Sequence, residues 1–334
     1  MRRNASIEGL RFVAAWIVLL WHTYSFVERG LGLNLQMLFR GEIANVIFFM
    51  LSGFFVTYGK DISKIRWSQT LRRKIRKIYP LYVCTVLYLA VVLYGWKMFT
   101  SERNVVLKHL LCIQSWFPYN NASAELNGAA WFLSCVLFYW CLTGLLLKRN
   151  FYSSTCFLAF LAIGYVVYVF AYPFMGGWFT GIWMPWPFLC YGTGLVLGSK
   201  MPAIAAKISN ISTAWMECAV VILLVASILA ADLKLYSPLL YGLLMLLSIN
   251  IHICLACRQD GIMHKLLSLR FMQLGGALSM PMYLVHLPIV RTLYKTGFLD
   301  SMPMVQFAIV LVETLGLSYL IVMLPLRIKA RKQA

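Results

Sequence analysis

Ten stretches of this 334-residue chain are apolar over lengths close to the roughly twenty residues a helix needs to cross a bilayer. They cover residues 7–25, 43–58, 78–96, 129–147, 154–172, 182–199, 214–231, 238–256, 273–294 and 304–326. None shows the strict alternation of an outer-membrane barrel strand, so helices are the expected elements. Hydrophobic residues make up 61% of the chain and charged residues 12%, with mean hydropathy +0.76. A soluble domain carries about 25% charged residues. The expected fold class is therefore all-α: a polytopic membrane bundle of about ten transmembrane helices, forming one domain over residues 1–334. The first run continues past Trp21 and His22 without a small-residue cleavage site, so it is expected to remain as a span.

The net charge of +19 could suggest nucleic acid, but the positions of the charges argue otherwise. When the loops are assigned alternately to the two sides, 21 Lys and Arg residues fall on one side and 8 on the other, with Arg11 left inside a span. The heavier side collects Arg2, Arg3, the cluster from Lys60 to Lys77, Lys148, Arg149, Lys200, Lys207, Arg258, Lys265, Arg270 and the basic tail after Leu326. That bias places both termini in the cytoplasm. The nine cysteines lie almost entirely within spans, Cys112 being the main exception, and suggest no disulfide framework. Cys254 and Cys257 have redox spacing but no His or Cys companions, and read as packing. The histidines are scattered without ligand spacing, so no metal site is expected.

The first span carries a polar line through apolar surroundings. Arg11 and His22 are eleven residues apart, three helical turns plus about 20°, and so share one face at a separation of about 16 Å. Glu8 lies three residues before Arg11 on the same side. Such groups are costly in hydrocarbon and should face protein or a water-filled cavity. An interfacial Glu8–Arg11 ion pair and an interhelical hydrogen bond from His22 would account for each residue alone. Three in register favour a functional stripe.

Further along, Ser52-Gly53 sits within an apolar helix, where close helix packing and a site role are equally good explanations. Residues 72–77 carry five cations before Tyr79-Pro80, and a proline suits the start of a helix, so these charges are expected at the cytosolic mouth of the third span. They suit anionic lipid headgroups or a phosphorylated cytosolic ligand. The connection over residues 97–128 contains an amphipathic piece around Lys108 and His109, expected to lie at the interface with His109 at the surface, followed by a polar outer loop made of Asn120–Ser123 and Glu125–Gly128, Asn127 included. Residues 173–187 read as a broken region near the outer surface. The ninth span holds Tyr283 and His286 between Pro281 and Pro288, the kind of break that exposes ligand sites within a membrane. Glu313 reads as a buried acid in need of a partner.

Together these residues resemble the membrane acyltransferase family 3, integral-membrane acyl-CoA-dependent enzymes that O-acetylate bacterial surface polysaccharides and other extracytoplasmic acceptors. The resemblance is carried by Glu8-Gly9-Leu10-Arg11 with His22, by Phe48-Phe49-Met50-Leu51-Ser52-Gly53-Phe54, by Arg73-x-x-Arg76 before Tyr79-Pro80, by Trp131-Phe132-Leu133 and by Tyr283-Leu284-Val285-His286. Many members carry Trp-Ser-Leu-Ser-x-Glu where this chain has Trp131-Phe132-Leu133-Ser134-Cys135-Val136, so a Glu used by some relatives is absent. The basic pair can be registered on Arg73 and Arg76 or, one residue on, Lys74 and Lys77. The arginines are favoured for their bidentate grip on phosphate. The hydrolase-like domain fused to some members is expected to be missing, since the chain ends eight residues after Leu326.

The resemblance implies a co-substrate, acyl-CoA and most often acetyl-CoA, with no permanently bound cofactor. Arg73, Arg76 and Ser52 would bind the donor, Ser52 either by a hydrogen bond or by accepting the acyl group transiently. His22 would act as general base, with Arg11 nearer the cytosol and Glu8 holding it. Trp131, Tyr283 and His286 would line the acceptor side, where a surface glycan or lipid-linked saccharide is modified. The implied location is the bacterial cytoplasmic (inner) membrane, with membrane lipids as further partners, no nucleic acid, and the oligomeric state open. A multi-pass transporter of a small anion or acyl group is the alternative, and a receptor or scaffold in a glycan-assembly complex is a third class.

Overall fold

The computed structural model describes residues 4–32, 40–117, 126–175, 185–232 and 237–333, and among them every regular element is helical. Arg2, Arg3, Lys234, the polar loop at 120–123 and most of the broken region at 176–184 lie outside the described residues. The helices are α1 Ala5–Leu31, α2 Gly41–Thr57, α3 Trp67–Tyr94, α4 Arg103–Leu110, α5 Trp131–Leu146, α6 Thr155–Met175, α7 Pro185–Ile208, α8 Thr213–Asp232, α9 Ser237–Arg258, α10 Gly261–Leu267, α11 Arg270–Thr296 and α12 Pro303–Gln333. Each expected apolar run falls on one of the ten long ones, while α4 and α10 are short additions. The protein is an all-α membrane helical bundle. Among the described residues, five helices are long and apolar enough to cross a membrane on their own: α1, α3, α5, α8 and α12. Residues Gly242–Arg258 of α9 and Gly261–Leu267, bent by 78°, make a sixth candidate, and Gly41–Thr57 and Thr155–Tyr168 are shorter apolar helices.

Two glycine-lined contacts set the helix spacing. A Cβ on Gly53 of α2 would overlap the Tyr191 carbonyl of α7, and one on Gly194 would overlap the Met50 carbonyl. Gly198 meets Phe54 and Thr57, and the Thr57 hydroxyl donates to the Leu195 carbonyl at 2.8 Å. In a bilayer, where apolar burial does not drive helices together, such backbone approach supplies the packing. The Ser52-Gly53 pair thus has a packing role through its glycine. The second contact joins α1 to α11. Gly276 lies against the Glu8 backbone and Gly275 against the Phe12 ring, while Gly9 lies against the Leu267 carbonyl of α10.

These contacts also give helix directions. Met50 and Phe54 of α2 pair with Gly194 and Gly198 of α7, and α1 runs alongside α11 from Glu8 with Gly276 to Ser25 with Tyr294, so both pairs run the same way. Helices α3 and α5 run oppositely: Trp67 reaches the Trp140 carbonyl, whereas Thr85 reaches Asn127, ahead of α5. Strict alternation along the chain requires these directions.

Three expectations fail. Helix α3 begins at Trp67, and Pro80 lies inside it, so the cations of residues 72–77 ride on the helix itself. The segment holding α4 folds back along α3: the Tyr82 hydroxyl donates to the His109 carbonyl at 2.5 Å, and His109 is buried. Burial pulls the His109 imidazole pKa down to about 4. The bundle supplies partners for the carbonyls at the end of α4, which water would otherwise solvate. Glu313 is exposed on α12, not buried.

Gly53→Leu should therefore separate α2 from α7 and lower stability by about 1–3 kcal/mol or more, as overpacking does. Gly316→Leu should be nearly neutral, since nothing lies within 4 Å of a Cβ there. Thermal unfolding of the detergent-solubilised protein measures both, and equal melting points for the two variants would contradict the packing role.

Candidate functional site

Two cavities lie along the polar face of α1. The proximal one, nearer the Ala5 end, has a volume of about 220 Å³. Arg11, Phe48, Ser52, Phe55, Lys74, Lys77, Trp140, Ser279 and Tyr283 are among its lining residues, and no carboxylate is. Glu8 pairs with Arg11 at 3.1 Å. Lys74 lies over the Trp140 ring, 4.2 Å from its centroid, and within electrostatic reach of Lys60 and Arg11. The cavity is a cationic mouth with aromatic walls, suited to an anion that carries an apolar or slender stem.

The distal cavity, about 140 Å³, is lined by Val18, Trp21 and His22 of α1, Gly41, Glu42 and Asn45 of α2, Ala129, Trp131 and Tyr283. Tyr283 therefore lines both cavities. Its ring clusters with those of Phe48 and Phe132, with centroids 5.9 and 5.6 Å away, and its hydroxyl donates to the Ala129 carbonyl. The arrangement places a basic pouch and an imidazole-bearing pocket on either side of one aromatic side chain.

Arg11, Ser52 and Tyr283 come together at the proximal cavity, with Glu8 behind Arg11. His22, Trp131 and Tyr283 meet at the distal one. His286 lines neither of these cavities. It is buried behind His22, with ring centroids 5.1 Å apart. Arg73 and Arg76 are exposed and outside the proximal lining, which takes the half-buried Lys74 and the exposed Lys77 instead. Helical phase is the reason. Trp67, Leu71, Ile78 and Tyr82 form the stripe of α3 that packs inward, and Lys74 falls on it. Glu42 and Asn45, three residues apart at the start of α2, went unnoticed in the sequence because they look like an ordinary polar helix start. Among the described residues, no group of three His, Cys, Asp or Glu side chains could hold a metal ion.

A family model described as an acyltransferase domain matches residues 4–323, nearly the whole chain and every residue lining both cavities. The chain belongs to this acyltransferase 3 family. It is also similar to a protein named acyltransferase MdmB from Streptomyces mycarofaciens, 33% identical over 144 residues. That alignment covers 40% of this chain, and the chain spans only about a third (36%) of the length of this curated relative. No solved structure matches the chain.

In this member of the acyltransferase 3 family, the turn carrying Ala129 and Trp131 is pinned by Asn127, a residue expected in the polar outer loop. Asn127 is fully buried, and its amide donates to the Thr85 hydroxyl at 3.2 Å and to the Leu284 carbonyl at 3.0 Å. The second bond follows from Pro288. A proline has no N–H, so the carbonyl four residues earlier, Leu284, loses its helical donor. Asn127 supplies the replacement. Asn127→Ala should cost about 1–3 kcal/mol of stability. In a Pro288→Ala background the helix regains its own donor, and the cost of Asn127→Ala should shrink by about 1 kcal/mol. Thermal unfolding of the four proteins gives this coupling, and strict additivity would show that the two residues do not share the Leu284 carbonyl.

Proposed function

We propose that the protein is an acyl-CoA-dependent O-acyltransferase, acting as a single domain of the bacterial cytoplasmic membrane. In this reading it moves an acyl group, most simply acetyl, from a cytosolic donor to a hydroxyl of an extracytoplasmic or lipid-linked glycan. The observation that carries it is that Arg11 and His22, on one helix, line two cavities walled from each other by Tyr283. The lysine-rich side suits the phosphates of CoA, and the excess of Lys and Arg on the corresponding loops supports a cytosolic orientation for it. The other side offers two tryptophans, an asparagine and a carboxylate around an imidazole, a composition suited to a sugar with its apolar faces and hydroxyl edges. The family and the name of the relative support acyl transfer over transport.

Lys74 and Lys77 would hold the donor phosphates within the cavity, with Arg73 and Arg76 meeting those that remain at the exposed rim. Ser52 would hydrogen-bond the pantetheine arm as it threads inward, and Glu8 would keep Arg11 extended towards it. The thioester then passes Tyr283. His22 removes the proton of the acceptor hydroxyl as its oxygen bonds to the thioester carbonyl carbon. The carbon–sulfur bond breaks, the thiolate sulfur takes the proton back from His22, and an ester and free CoA remain. Trp131 would stack against the acceptor.

Purified protein in liposomes, given labelled acetyl-CoA and extracted surface glycan, should release CoA in step with labelling of the glycan. A transporter would release none, and that result would overturn the proposal. His22→Ala should fold normally and lose about 10²–10⁴-fold in turnover, and unchanged turnover would remove it as the base. Lys74→Ala and Lys77→Ala should each raise KM for acetyl-CoA by about tenfold or more with little change in KM for acceptor, and should exceed the effects of Arg73→Ala and Arg76→Ala. The opposite ranking would return the donor phosphates to the arginines.

A further inference from the structure

His286 is 1% exposed and is not among the residues lining either cavity, so it is poorly placed to touch a glycan. Its Nδ1 lies 2.9 Å from the Met282 carbonyl. A carbonyl can only accept, so Nδ1 carries the hydrogen and Nε2 is left as a bare acceptor. That Nε2 is buried and makes no hydrogen bond. The Tyr283 hydroxyl cannot serve it, being committed to the Ala129 carbonyl. The neighbouring ring is His22, with centroids 5.1 Å apart and planes 38° from parallel. An N–H···N bond of roughly 2.9 Å between two imidazoles, each nitrogen about 1.1 Å from its ring centre, puts the centroids about 5 Å apart.

We infer that His286 is a positioning residue for His22: with a small rotation of the two rings from the structure, where its Nε2 is still without a partner, that atom accepts the His22 ring N–H and so holds the opposite, unprotonated nitrogen at the distal cavity. The inference rests on the reading of His22 as general base. It assigns to a neutral imidazole the orienting task that a carboxylate performs in hydrolase triads. The charge setting favours a neutral partner. Arg291, five residues after His286, lies within electrostatic reach of His22, and a carboxylate in this position would be drawn to that guanidinium. During transfer the acceptor proton moves to the cavity-facing nitrogen of His22. The N–H bonded to His286 stays in place, and the new proton leaves to the CoA sulfur, so His286 neither gains nor loses a proton.

Ring-nitrogen NMR on protein labelled with ¹⁵N-histidine tests this independently of turnover, with His22 assigned by comparison with His22→Ala. The wild type should show His22 as one neutral tautomer with a ¹⁵N–¹⁵N coupling across the bond to His286. His286→Phe should give mixed tautomers and a 10- to 100-fold lower kcat, with KM for donor and acceptor within about twofold. His286→Gln, which offers an acceptor oxygen, should restore the single tautomer and most of kcat. Absence of the coupling in the wild type would overturn the inference even if neither variant folds. An unchanged His22 tautomer in His286→Phe, or a loss falling on acceptor KM, would also overturn it. Full turnover by His22→Ala would instead strike the base assignment, while the tautomer result would still report on the two rings.

Discussion

The close approach of α11 to α1 is the contact on which the remaining geometry depends. Gly276 leaves room for the Glu8 backbone, and the two helices then run side by side in one direction. From that starting point the register follows: Tyr283 reaches the level between Arg11 and His22, His286 comes to lie behind His22, and Tyr294 meets Ser25 and Phe26. A side chain at position 276 would push the helices apart and open the interface along its whole length. Because lipid is as apolar as the helix surfaces, no hydrophobic force would draw them back. The same contact explains how Arg11 and His22 are tolerated within a long apolar helix. Their face of α1 is turned to α2, α3 and α11, where cavities and partners replace water.

Tyr283 divides the space so created. The proline-containing stretch of α11 around it is held from outside the helix, by Asn127 on the Leu284 carbonyl and by the Ala129 carbonyl on the Tyr283 hydroxyl. A helix weakened at Pro281 and Pro288 is thereby fixed to the turn that leads into α5. The wall between the cavities and the turn that bears Trp131 form one mechanical unit. In the proposed reaction this unit keeps a thioester and its attacking hydroxyl apart until the donor arm has entered.

Much of this could be read from the chain. The apolar runs yield the helices, and the eleven-residue spacing puts Arg11 and His22 on one face. The inward-facing Lys74 was readable too, since it falls on the stripe of α3 that Trp67, Leu71, Ile78 and Tyr82 pack against the core. Taking Pro80 as a helix start conceals that stripe, because it removes the helix from beneath the cations. The fold-back of α4 was not readable. An amphipathic octapeptide looks the same whether its apolar side meets lipid or protein, and only the tertiary position of Tyr82 decides that His109 is buried. Asn127 was hidden for a related reason: its partner is a carbonyl freed by a proline 161 positions later. Glu313 shows the opposite failure, since a hydrophobic helix does not reveal which of its faces is packed.

At the position where many relatives carry Glu, this chain has Val136, 1% exposed and packed in the core, so a charge there would lack both water and a partner. The carboxylate that lines the distal cavity comes instead from Glu42, in the first turn of α2. A helix N-terminus favours a negative charge through its unpaired N–H groups, and Glu42 keeps contact with solvent. His22 thus lies between the His286 ring on its buried side and the Glu42 side chain at the distal cavity. The open side of His22 is the cavity side, where the acceptor hydroxyl of the proposed reaction would lie.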